Sequence, residues 1–162
     1  MCKIAYEDNH LLIAVKPPNL LTQGDQTGDD CLCEAMKRYL KETYHKPGEA
    51  YLGLIHRLDR PVGGLVCMAK TSKAASRLSE QLRAQALHRE YLTVALGRPP
   101  ERGELRDWLL KDGEGGSVRV VPAGTQGAQE AVLRFERLAL LDGTALLHIT
   151  LQTGRKHQIR VQ

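Results

Sequence analysis

The chain has 162 residues, 42% hydrophobic and 26% charged, long enough to bury one core and ordinary in composition for a folded domain. Its longest apolar runs, 11–15 and 64–69, are far too short to span a bilayer, and Glu7 and Asp8 arrive before any sustained hydrophobic region. A membrane helix and a secretory signal are therefore not expected, and the default compartment is the cytosol. Lys and Arg number 23 against 19 Asp and Glu, leaving +4, which permits an anionic partner such as RNA without demanding one.

In chain order, residues 3–7 and 11–15 are two short apolar runs joined by Asp8-Asn9-His10, the pattern of a β-hairpin, which Pro17 and Pro18 stop. After the polar loop 23–28, Asp29 or Asp30 is expected to cap a helix with Leu32, Ala35, Met36, Tyr39 and Leu40 on its inner face, closed by Pro47-Gly48. The run 65–69 suits a buried strand, and Thr71 or Ser72 would cap a second helix with Ala74, Ala75, Leu78 and Leu82 facing inward. Residues 89–96 alternate, with Tyr91, Thr93 and Ala95 on one side and Leu92, Val94 and Leu96 on the other, which suits a central strand. Further strands are predicted at 104–110, 117–121, 130–138, 144–151 and 157–161, with 111–116 as a hairpin tip and 122–127 as a loop. No repeat or linker interrupts this order. The expected fold is one α+β domain with a mixed, mainly antiparallel sheet and flanking helices.

Chemistry concentrates in three places. In "GLIHRLDRPVGG" (53–64) Asp59 stands near Arg57 and Arg60, whose positive charge favours the ionised carboxylate and so suits a nucleophile or electrostatic stabiliser. The bland alternative is an Arg–Asp pair that ties down a loop. In "QTGRKHQIR" (152–160) the cluster Arg155, Lys156, His157 and Arg160 offers donors for phosphate oxygens or a buried carboxylate. If extended, it puts Arg155, His157 and Ile159 on one face, and a solvated basic strand edge is its bland reading. Tyr91 is either core or a ring for stacking on a base. The six histidines include no HExxH, and the four cysteines no CxxC, so reduced thiols and no metal are expected. GxSxG, P-loop and GxGxxG signatures are missing from the sequence.

Taken together, the clusters resemble the RluA-type RNA pseudouridine synthases. "YEDNHLLIAVKPPNLLTQ" is similar to their N-terminal strand pair with its Lys-Pro step, and "HRLDRPVGGLVCMAKT" to the motif of their catalytic aspartate. "REYLTVALG" resembles the motif of the active-site tyrosine, and "LQTGRKHQIRVQ" that of the arginine pairing with the aspartate. The resemblance implies Asp59, Tyr91 and Arg155 as catalytic residues, with Arg160 the second candidate for the arginine. Arg57 would fill or hold the site of a flipped base, and RNA contacts would come from Lys16, Arg57, Arg60, Lys156, His157 and Arg160. It also implies isomerisation of uridine in ribosomal or transfer RNA without metal or organic cofactor; a monomer is the default expectation for oligomeric state.

Three departures accompany the resemblance. Val62-Gly63-Gly64 lacks a hydroxyl that many members carry before the glycine, no S4-type domain precedes the motifs, and relatives run on for roughly another quarter of a domain. A C-terminally incomplete catalytic domain is therefore expected, and the competing reading is a catalytically silent or truncated RNA-binding relative. A glycosidase would need a second carboxylate at a suitable distance, and no companion to Asp59 stands out.

Overall fold

One side chain closes the first turn of the fold. Asp8 Oδ1 accepts from the amides of His10 at 2.7 Å and Leu11 at 2.6 Å, so β1 (Lys3–Glu7) folds back on β2 (Leu11–Lys16) as an antiparallel hairpin. The structure, a computed structural model, describes residues 2–113 and 116–162. The chain forms two compact units, Met1–Ala86 and Leu87–Gln162.

In the first unit, α1 (Leu32–Thr43) follows the hairpin, then β3 (Gly53–Leu54), β4 (Gly64–Ala69) and α2 (Ser72–Arg83). The sheet order is β1-β2-β4-β3, antiparallel throughout. β4 pairs on both sides, which explains its unbroken apolar run: Val66, Met68 and Ala69 are fully buried beside Leu12 and Ala14 of β2. Leu32, Met36 and Leu40, spaced by four, form the buried stripe of α1. The predicted Asp cap is not observed. Cys31 occupies the N-cap position, and the first helical amides instead donate to loop carbonyls, Leu32 N to Leu21 O at 2.8 Å and Cys33 N to Thr22 O at 3.1 Å. The Thr71 cap of α2 is observed, with its hydroxyl accepting from Ala74 N at 3.1 Å. The α2 face of Ala74, Ala75, Leu78 and Leu82 is half-buried.

The second unit is a five-stranded antiparallel sheet of β5 (Glu90–Leu96), β6 (Arg102–Lys111), β7 (Val118–Val121), β8 (Gln129–Leu141) and β9 (Thr144–Leu151), in the order β5-β9-β8-β6-β7. Its core is Leu133, Ala145, Leu147 and Ile149, with Tyr91, Ala95, Leu105, Phe135, Leu151 and Ile159 packed against it. β5 is an outer strand among the described residues, not the central one expected. Its alternation is apolar on both sides, but Leu92, Val94 and Leu96 face solvent at 67%, 68% and 87% exposure. The predicted hairpin tip joins β6 to β7, although Glu114 and Gly115 within it lie outside the described residues.

The predicted strand at 157–161 is a short helix, α3 (Gln158–Val161), entered through His157 in the left-handed region at φ 54°. Side-chain bonds replace the expected strand pairing. Thr153 Oγ1 accepts from Val132 N at 2.8 Å, and the Gln158 carboxamide closes the turn. The supposed common face of Arg155, His157 and Ile159 therefore does not form. No helix of the described residues is long and apolar enough to cross a membrane.

Candidate functional site

The residues singled out by sequence fall into two groups, one in each unit. Lys16, Arg57, Asp59 and Arg60 belong to the first; Tyr91, Arg155, Lys156, His157 and Arg160 belong to the second.

Asp59 is half-buried in the loop between β3 and β4, where its carbonyl accepts from Val62 N at 3.0 Å to form a tight turn. That loop is fastened to the segment after β2 at two points. Thr22 Oγ1 donates to Leu58 O at 2.7 Å and accepts from Leu58 N at 3.2 Å. Lys16 Nζ donates to Pro17 O at 3.1 Å, Leu20 O at 2.7 Å and Arg60 O at 3.1 Å. Lys16 is fully buried: three carbonyls engage its ammonium, and it ties the loop from within. Burial pulls the Lys16 ammonium below its ordinary range, and the nearby charge of Asp59 offsets part of that shift.

Arg60 is held by a second acid, Asp29. It bonds Asp29 Oδ2 at 2.8 Å and Asn19 O at 3.3 Å, while Arg57 is exposed on the same loop. The glycine pair is a fit rather than slack. A Cβ at Gly63 would meet Pro18 Cδ at 3.1 Å, and Gly64 takes φ +146°, which L side chains rarely adopt.

In the second unit Tyr91 sits on β5 opposite Ile149 of β9, with its ring partly buried against the core. The turn after β9 carries the basic cluster. Arg155 Nε donates to Glu130 O at 2.8 Å, and Arg155 N donates to Gln158 Oε1 at 3.0 Å. Gln158 is 3% exposed and also accepts from Thr153 Oγ1 at 2.9 Å; its amide donates to Gln162 Oε1 at 2.8 Å, and Gln162 donates to Asp107 Oδ2 at 2.8 Å. The Arg89 guanidinium lies against Gly154, in the space that a Cβ there would take. Lys156 and Arg160 are exposed, and His157 is half-buried.

Sequence reasoning missed the supports: Thr22, Thr153, Gln158 and Gln162. Their signal is a polar side chain taken wholly or partly out of solvent, which cannot be distinguished from a surface one before the partners 5 to 55 residues away are known. Chemically, the first group offers a carboxylate on a fixed turn, and the second offers an aromatic hydroxyl and an arginine-rich turn. Among the described residues no cluster of three or more His, Cys, Asp or Glu could hold a metal ion.

Comparison with known proteins places the chain in a family. Residues 10–162 match the family model described as RNA pseudouridylate synthase. The chain is 32% identical to the ribosomal large subunit pseudouridine synthase D of Nitrosomonas europaea over 98% of its own length and 45% of that protein's. It is also 32% identical to the protein of the same name from Yersinia pestis, covering 98% of this chain and 47% of that one. The chain thus spans about half the length of these curated relatives. In fold it is similar to human RNA Pseudouridylate Synthase Domain Containing 4, with a TM-score of 0.80 and 24% identity over 98% of this chain and 62% of that one. With the aspartate, tyrosine and arginine motifs all inside the matched span, the chain belongs to the RNA pseudouridylate synthase family, RluA type.

Proposed function

We propose that this protein isomerises uridine to pseudouridine within RNA, with ribosomal RNA as the first substrate class and transfer RNA as the second, and with Asp59 as the catalytic carboxylate. In this reaction the N1–C1′ bond breaks, C5 bonds to C1′, N1 gains a proton and the C5 proton leaves. No redox partner is needed, and the balance closes without metal or organic cofactor. The observation that carries the reading is the fastening of the Asp59 turn by Lys16 and Thr22, since a nucleophile must be held in one direction to be effective. Asp59 attacks or stabilises the electron-poor sugar or base. Arg155 and Tyr91 of the second unit are the further catalytic residues of this reading, Arg155 as its cationic group and Tyr91 as a ring able to stack on uracil. The target base leaves its stack to reach the carboxylate, and Arg57 occupies the place it vacates. Arg60, Lys156, His157 and Arg160 contact phosphates, and a single copy of the chain does the work.

The test is tritium release from RNA labelled at uridine C5, comparing the protein with its Asp59→Asn variant. The variant is expected to turn over at least about a thousandfold more slowly, since it loses charge and nucleophilicity at nearly constant volume, while its RNA affinity stays within about threefold. Equal release by the variant would remove Asp59 from the mechanism. RNA binding without release by either protein would instead make this an RNA-binding relative without activity.

A further inference from the structure

Thr22 is 3% exposed, and its hydroxyl is bonded twice to one residue, donating to Leu58 O at 2.7 Å and accepting from Leu58 N at 3.2 Å. Leu58 lies in a loop at 8% exposure, immediately before Asp59. A hydroxyl that both gives to and takes from one residue's backbone does for that loop what a neighbouring strand does for a strand. The backbone around Thr22 is fixed from the opposite side. Thr22 O accepts from Cys33 N at 3.1 Å and Leu21 O from Leu32 N at 2.8 Å, both amides belonging to the first turn of α1. These bonds run without a break from α1 through Thr22 and Leu58 to Asp59.

We infer that Thr22 is a positioning residue, through which α1 fixes the Leu58 backbone and with it the direction of the Asp59 carboxylate. The inference rests on the catalytic role proposed for Asp59. Lys16 does not duplicate this function, because in this loop it grips Arg60 O, on the far side of Asp59. Losing the hydroxyl leaves two buried backbone groups of Leu58 without a partner, and the loop shifts to let water reach them. A displacement of about 1 Å at a reacting group costs roughly a hundredfold in rate, and contacts to RNA far from that group are untouched.

Two variants separate the hydroxyl from the volume it fills: Thr22→Val keeps the shape and removes both bonds, whereas Thr22→Ser keeps both bonds. Two readouts are taken on each, kcat and KM for C5-tritium release and amide hydrogen exchange over residues 56–62 without RNA. Thr22→Val is expected to lose about 10- to 100-fold in kcat with KM within about threefold, and to exchange faster over 56–62. Thr22→Ser is expected to match the wild type in both. Wild-type kcat in Thr22→Val, or the same loss in Thr22→Ser, would overturn the assignment. If Thr22→Val does not fold, Thr22→Cys, a weaker hydrogen-bonding group, is expected to show an intermediate loss, and wild-type kcat there counts against it equally. A wild type with no turnover would sink the proposed function instead. Exchange then still decides the clamp itself, and no difference between Thr22→Val and Thr22→Ser would refute it.

Discussion

Glu7 shows how a single half-buried carboxylate ties a unit together. Its oxygens accept from Lys70 Nζ at 2.5 Å, Tyr44 Oη at 2.7 Å and Tyr39 Oη at 2.9 Å, joining the end of β1 to α1 and to the residue after β4. The Lys70 and Glu7 side chains are 10% and 14% exposed, so solvent screens this pair poorly. Burial alone would push the Glu7 carboxyl up, but the hydrogen bonds from Lys70, Tyr44 and Tyr39 outweigh it and hold it below the usual range. For Lys70, burial pulls down and the bonds to Glu7 and Tyr44 win, leaving the ammonium above its usual range. A depressed carboxyl stabilises the fold above its unfolded pKa and loses that contribution as pH falls through its folded value. A raised ammonium does the reverse, stabilising below its unfolded pKa and losing the effect as pH rises through its folded one. The pair is therefore at full strength from weakly acidic to moderately alkaline pH. Glu7→Gln is expected to cost about 1–3 kcal/mol at neutral pH, or roughly 2–12 °C in Tm, and the gap from wild type should close as pH falls through the lowered range of the Glu7 carboxyl. Thermal melts of both proteins across that range check it, and a gap that stays constant with pH would rule out the carboxylate charge as its origin.

The helices differ in what starts them, and that difference is testable. The first turn of α2 is capped by the Thr71 hydroxyl, whereas that of α1 is met by the carbonyls of Leu21 and Thr22 while Asp29 pairs with Arg60 instead. Thr71→Ala should cost about 1 kcal/mol, while Asp29→Ala should stay within about 0.5 kcal/mol, because it removes only an exposed ion pair. Denaturant melts distinguish them, and an Asp29→Ala loss as large as that of Thr71→Ala would restore the side-chain cap to α1. The same contrast marks what the sequence could disclose. Alternation and periodicity foretold β1, β2, β4, β8, β9 and the stripe of α1, since each pattern lies within its own element. The α3 turn was misread as a strand because Thr153 and Gln158 close it through Val132, 21 residues from Thr153. Lys16 at the end of a strand looks like a surface charge until Leu20 and Arg60 bring their carbonyls to it. The candidates Asp59, Tyr91 and Arg155 were legible from local motifs, but the groups that hold their segments in place depend on contacts made only after folding.

Across the whole molecule the excess of +4 is unevenly placed. Arginines of the five-stranded sheet are matched by carboxylates: Arg102 by Glu136 at 2.8 Å, Arg106 by Glu130 at 2.6 Å and Glu104 at 3.1 Å, and Arg134 by Glu104 at 3.0 Å. These three arginines and three glutamates make a surface that is locally neutral and has little to offer a polyanion. The stretch from Gln152 to Gln162, by contrast, contains Arg155, Lys156, His157 and Arg160 without one acidic residue, and the loop of Asp59 adds the exposed Arg57. On the proposed function, RNA affinity should therefore fall with rising salt through the second set and not the first. Each phosphate contact removed lowers the slope of log affinity against log salt by about 0.7 to 0.9, the range between single strands and duplex. Arg57→Ala and Lys156→Ala are each expected to show that decrement, with similar weakening on RNAs of different sequence, because phosphates carry no base identity. Arg102→Ala, which breaks a pair already neutral, should leave the slope unchanged. The comparison is a salt titration of RNA binding for the three variants and wild type, and a slope for Arg102→Ala that drops as far as the other two would move the RNA to the paired sheet face.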